Sequence, residues 1–163
     1  MSWALVRVDD RLIHGQVVIA WGARLAPQRI WVVDDASAAN AWERDLLATG
    51  APGVDVRVVT VIDAAAGFAA EAGAAGGAFL IVRDLRTAWA LREAGAHFPV
   101  LNLGGLHYAP GKTKVNEYVY LDDDDRGFAR CLLAAGVRLE VQDVPATRVM
   151  TLTELDPRMA APA

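Results

Sequence analysis

Short β-branched runs alternate with alanine-rich amphipathic runs along almost the whole chain, and this alternation limits the fold more than any other feature. Strands are expected at Ala4–Val8, Ile30–Val33, Val54–Val59, Ala78–Val82, Pro99–Leu103, Glu117–Leu121 and Val137–Gln142. Helices are expected at Gly15–Leu25, Ala38–Thr49, Ile62–Ala72, Thr87–Ala94 and Asp123–Ala135. Gly50, Gly95 and Gly136 stand where helices should stop, because glycine accepts the left-handed backbone of a helix C-terminus. Thr60 and Asp122 stand where helices should start. Strands that alternate with helices pair side by side in one direction, so the fold class is α/β, a mostly parallel sheet with helices on both faces.

The 163 residues are enough for one core, and no linker or repeat divides them, so residues 1–163 are read as a single domain. Only the tail "PRMAAPA", residues 157–163, is expected to fray. A 54 % hydrophobic chain with 22 % charged residues has the means to bury a core, which argues against disorder. The net charge of −4 and the lack of a basic run argue against nucleic acid as a partner. The single cysteine, Cys131, excludes an internal disulfide and a cysteine-based zinc cluster. It lies in an apolar helical stretch and is expected to be buried and inert. "MSWALVRVDD" lacks the apolar core of a signal peptide. Ala64–Val82 is broken by Gly73, Gly76 and Gly77 and reads as helix, turn and strand, not as a membrane span.

Polarity is concentrated in "VRVDDRLIHGQV", Val6–Val17, where the first strand gives way to the first helix. In open parallel sheets, ligands sit beyond the carboxyl ends of the strands, which is where Asp9–His14 should lie. The helix that starts near Gly15 offers free N–H groups to an anion, and Arg11 adds a planar charged donor. A neutral imidazole nitrogen is a nucleophile that can carry a phosphoryl group, a transfer that needs mainly positioning and charge stabilisation. His14 is therefore the candidate acceptor. Asp9 or Asp10 could orient its ring or Arg11, and the residue types do not say which. Plainer readings compete: a solvated turn histidine, aspartates that cap the helix, and an arginine in a surface ion pair.

The same stretch resembles the N-terminal signature of the enzyme IIB component of the mannose/fructose/sorbose family of the sugar phosphotransferase system. Arg7, Asp9, Asp10, Arg11, Leu12, Ile13, His14, Gly15, Gln16, Val17 and Trp21 match it, and Val8 is a mild variation. "VVDDASA", "LNLGG" and "LLAAGVRLEVQDVP" are similar to later parts of that family, so the resemblance runs from Ala4 to about Leu155. It implies a largely parallel sheet of about seven strands. It also implies that His14, through Nδ1, takes a phosphoryl group from a phosphohistidine on enzyme IIA. The group would then pass to a sugar entering through membrane components IIC and IID. Arg11, Gly15 and Gln16 would stabilise the phosphoryl group, with Arg7 as a lesser contributor. The implied place is the cytoplasm, at the inner face of the membrane through IIC and IID. Self-association fits a family that works in complexes.

Some features fall outside the resemblance. The loop "GGLHYAPGKTK", Gly104–Lys114, is long and irregular and carries His107, Tyr108, Lys112 and Lys114. Gly104 and Gly105 could let backbone approach a phosphate, and His107 would lie on the same edge, although an ordinary loop histidine is the simpler reading. His97 is given no catalytic role. Asp122–Asp125 reads as helix capping in preference to a metal site, and no metal or cofactor is expected. Trp21, Trp31, Trp42 and Trp89 are core or interface candidates. Two further functions stay open beside the phosphocarrier. One is a regulatory IIB-like domain that reports on the phosphotransferase chain without transporting sugar. The other is an anion-binding module that never forms phosphohistidine.

Overall fold

The computed structural model describes residues 3–71 and 77–160. β1 (Trp3–Asp9) leads through a π-helix, Gln16–Trp21, into α1 (Gly22–Leu25). β2 (Arg29–Val33) is followed by α2 (Asp35–Ala39) and α3 (Ala41–Thr49), then β3 (Asp55–Val59) and α4 (Val61–Glu71). β4 (Ala78–Val82), α5 (Leu85–Glu93) and β5 (Val100–Gly105) come next, then a hairpin of β6 (Thr113–Asn116) and β7 (Val119–Leu121). α6 (Asp123–Ala134), β8 (Arg138–Val141), β9 (Met150–Thr151) and α7 (Leu152–Leu155) close the chain.

The seven-stranded sheet has the order β3-β2-β4-β1-β5-β8-β9 and is parallel except for β9. Side chains of successive strand residues point to opposite faces, and both faces are buried. On one face Val6, Val8, Leu80, Val82, Leu101 and Leu103 pack under α4, α5 and α6. On the other, Leu5, Ile30, Val32, Phe79 and Ile81 pack with Val17 and Trp21 of the π-helix and with Leu47 of α3. β1 lies at the centre, between β4 and β5, so its carboxyl end is flanked by loops from both neighbours.

Several expectations are corrected. The helix expected over Ala38–Thr49 is two helices, because Asn40 is extended and its side chain accepts from the Glu43 N–H to start α3. The strand expected over Glu117–Leu121 shrinks to β7 and belongs to the hairpin, and β9 takes its place in the main sheet. Gly95 and Gly136 follow their helices with positive φ, and Gly50 ends α3 as expected but with a φ of −70°, not the left-handed backbone. A Cβ at Gly50 would lie 3.0 Å from Ile13 Cγ2, so close packing is its reason.

Cys131 is exposed, not buried. α6 buries Asp125, Arg126, Ala129 and Leu132, a stripe that leaves position 131 outside. Of the tail expected to fray, Pro157–Met159 forms a 3-10 turn with Met159 buried in the core. The expected helix end at Ala72, the expected breaks at Gly73 and Gly76, and residues 161–163 lie outside the described residues. Asp122 and Asp125 bond each other's backbone N–H in a reciprocal cap on α6. Trp21 and Trp31 are buried, whereas Trp42 is 73 % exposed.

Candidate active site

At the carboxyl end of β1 the chain turns sharply, the Leu12 N–H bonding the Asp9 carbonyl at 2.9 Å. Leu12 has a φ of 57°, the left-handed region that a leucine adopts at a cost of roughly 1–2 kcal/mol. Its side chain is 1 % exposed within the core under the π-helix, and that burial offsets the strain. The polar loop is therefore pinned by an apolar residue in its middle.

Asp9 is the hub. Its Oδ2 accepts from His14 Nε2 at 2.7 Å and from Arg7 Nη2 at 3.0 Å. Its Oδ1 accepts from the Arg11 backbone N–H at 3.1 Å and, more loosely, from Arg11 Nε at 3.4 Å. Burial alone would push this carboxyl up, but the His14 hydrogen bond and the charge of Arg7 outweigh it, and Asp9 sits below the usual carboxylate range. A carboxylate accepts hydrogen bonds, so Nε2 of His14 carries a proton here, and in the neutral ring the lone pair is then on Nδ1.

Arg7 was expected as a lesser phosphate contact, but it is completely buried. Nη1 donates to Asn102 Oδ1 at 2.7 Å and to the Gln142 carbonyl at 3.2 Å, and its guanidinium lies 5.8 Å from the Trp21 ring centroid. Burial draws its pKa down, opposed by the Asp9 charge. Gly104 is what makes room for it: a Cβ there would come within 1.9 Å of Arg7 Cζ. A Cβ on Gly105 would lie 3.1 Å from the Asp9 carboxylate. The space left by these two glycines is filled by Arg7 and bounded by Asp9.

Arg11 is more exposed, and its Nη2 donates to Gln16 Oε1 at 3.1 Å. Gly15 precedes the π-helix, whose first N–H groups have no acceptor within the helix. Asp9, Arg11, His14, Gly15 and Gln16 are thus brought together. Asp10 turns instead to the loop after β5, where His107 donates to it through both its backbone N–H and Nδ1. Of the two aspartates, Asp9 is the one bonded to the His14 ring. Lys112 bonds Asp125 at 3.0 Å and Lys114 pairs with Glu117, so both lysines of the long loop are engaged away from His14.

Arg83 was not singled out from the sequence. Its Nη1 donates to the Asp10 carbonyl at 3.1 Å, and its other nitrogens meet Asp34, Ser37 and Glu43. Its position one residue past a fully buried strand was the available signal, since that is the ligand edge of a parallel sheet. Among the described residues, no group of three or more His, Cys, Asp or Glu could hold a metal.

The fold and the site define a doubly wound α/β protein that presents a carboxylate-held histidine at the ligand edge of its sheet. The family model of the PTS system sorbose subfamily IIB component matches residues 3–159, and the chain belongs to that family, whose general role is to carry phosphoryl groups in the phosphotransferase system. It is 33 % identical over 143 residues to the N-acetylgalactosamine-specific phosphotransferase enzyme IIB component 1 of Escherichia coli (strain K12), covering 86 % of this chain and 90 % of that one. It is 34 % identical to the mannose-specific EIIAB component of the same organism, covering 95 % of this chain but only 48 % of the relative. The crystal structure of the IIBSor domain of the sorbose permease from Klebsiella pneumoniae superposes with a TM-score of 0.87 at 30 % identity, covering 94 % and 95 % of the two chains.

Proposed function

We propose that His14 is the phosphoryl acceptor, taking the group from a phosphohistidine on an enzyme IIA and passing it to a sugar presented by membrane components IIC and IID. The observation that carries this is the 2.7 Å bond between His14 Nε2 and Asp9, which leaves Nδ1 as the free nucleophile. The Nδ1 lone pair forms the new P–N bond as the donor's P–N bond breaks and its electron pair returns to the donor imidazole. Nε2 keeps its proton, and Asp9 balances the positive charge that the ring gains. Arg11, with the helix N–H groups at Gly15 and Gln16, stabilises the transferring oxygens. In the second step a sugar hydroxyl oxygen attacks phosphorus, the P–N bond breaks with its electron pair returning to Nδ1, and the hydroxyl proton passes to solvent water.

The EIIAB name of the mannose-specific relative supports a IIA partner, since this chain aligns with about half of that protein. The relatives' names include N-acetylgalactosamine, mannose and sorbose, which supports a monosaccharide substrate. No described helix is long and apolar enough to cross a membrane, which fits a carrier that meets its membrane components from the cytoplasmic side.

Incubation with phosphoenolpyruvate, the general phosphotransferase proteins and a IIA domain should add one phosphate to the His14 peptide, lost in mild acid. His14→Ala should take up none while remaining folded, with a cooperative thermal transition. Continued uptake by His14→Ala would end this reading.

A further inference from the structure

Asp10 has every polar group committed. Its N–H donates to the Gly105 carbonyl at 2.9 Å, and its carbonyl accepts from Arg83 Nη1 at 3.1 Å. Its Oδ2 accepts from the His107 backbone N–H at 2.7 Å and its Oδ1 from His107 Nδ1 at 2.6 Å. Consecutive aspartates thus hold two histidines by opposite ring nitrogens: Asp9 takes Nε2 of His14, and Asp10 takes Nδ1 of His107.

His107 is itself a fixed post. Leu106 before it is buried, its N–H bonding the Tyr118 carbonyl at 2.9 Å and its carbonyl accepting from the Tyr120 N–H at 2.8 Å. Tyr108 after it sets its ring edge-on to Tyr120, 5.9 Å between centroids. The hairpin β6–β7 thereby anchors the residue that grips Asp10, next in sequence to the hub of the site. The His107 side chain is 52 % exposed, and an ion pair so exposed adds little to stability. What such a grip does supply is placement. The segment Asp9–His14 rests on a strained turn and on these bonds, and a nucleophile displaced by about 1 Å can lose a hundredfold in rate.

We propose that His107 is a positioning residue for phosphoryl transfer: by gripping Asp10 from the hairpin-anchored loop, it fixes Asp9–His14 in the geometry that presents His14 Nδ1. This rests on His14 being the acceptor. Uptake of phosphate from a phosphorylated IIA domain would be timed over a range of donor concentrations for the parent, His107→Ala, His107→Asn and His14→Ala. Asparagine keeps an N–H donor near the place of Nδ1. His107→Ala should lower kcat about tenfold with KM nearly unchanged, and its melting temperature should fall by no more than about 4 °C. His107→Asn should recover the parent kcat to within about threefold, which loss of fold or of docking surface would not reproduce. A His107→Ala kcat within twofold of the parent, a change confined to KM, or His107→Asn no faster than His107→Ala would overturn the positioning role while leaving His14 as acceptor. If the parent takes no phosphate, or His14→Ala does, the acceptor reading fails and the positioning role with it.

Discussion

Arg7–Asp9 and Arg126–Asp156 are both buried arginine–aspartate pairs, at 3.0 and 2.8 Å. Arg126 spends its other nitrogens on the Leu121 carbonyl and on Thr113 Oγ1, and Asp156 caps the 3-10 turn that follows it. Every partner there is structural, and the pair ties α6 and the hairpin to the end of the chain. Arg7 likewise spans the sheet to Asn102 and Gln142, but Asp9 also reaches His14 and Arg11. The same two residue types therefore meet only structural partners in one place and, in the other, also the histidine proposed as phosphoryl acceptor. What separates them is the additional partners of the carboxylate, not burial or distance.

That difference is easiest to break at the arginines. Arg126→Leu leaves the buried Asp156 without its cation and Arg7→Leu leaves the buried Asp9 with only the looser Arg11, and each should cost about 3–5 kcal/mol of unfolding free energy in a denaturant titration. Phosphate uptake per folded molecule should collapse only for Arg7→Leu. Equal loss of uptake in both variants would mean that Arg7 acts through the fold and not through Asp9.

The aspartates sharpen the contrast. Asp9→Asn keeps the shape but removes the charge that holds the Nε2 proton, so uptake should fall at least a hundredfold, whereas Asp156→Asn should leave it within a few-fold. Stability against pH gives an independent check. Asp9 titrates below its unfolded value of about 3.9. Its contribution is therefore complete above that value and is lost as pH falls through the lower folded value. Parent stability should fall below about pH 4, and Asp9→Asn should flatten part of that fall. Other depressed carboxyls, Asp34 and Asp122 among them, supply the remainder. An unchanged slope in Asp9→Asn would show that Asp9 is not held below its ordinary range.

These particulars also mark where sequence reading reaches and where it stops. The loop at Asp9–His14 was legible because it interrupts a strand with polarity at the ligand edge of a parallel sheet. The role of Arg7 was not, because its partner Asn102 lies 95 residues away and alternation says only which face a strand residue uses. Cys131 misled for a related reason: Asp125 and Arg126 occupy the buried face of α6, so the charge pattern inverted the expected phase of the helix. β9 has two residues, too few for any periodic signal, yet it completes the sheet.

The smallest effect belongs to Arg11, the solvent-facing one of the two arginines that bond Asp9. Arg11 has a side chain 41 % exposed, and its backbone N–H, which any residue would supply, makes the shorter of its two bonds to Asp9. Arg11→Lys keeps the charge and that backbone bond and loses only the fork that spans Asp9 and Gln16. Unfolding free energy should change by less than about 0.5 kcal/mol. Uptake should slow by about three- to tenfold, since a lysine stabilises the transferring oxygens as a point charge without matching their geometry. A rate equal to the parent's would reduce Arg11 to a charge beside the site. A loss as deep as that of Arg7→Leu would mean that the Gln16 bond, and not the charge, sets the loop.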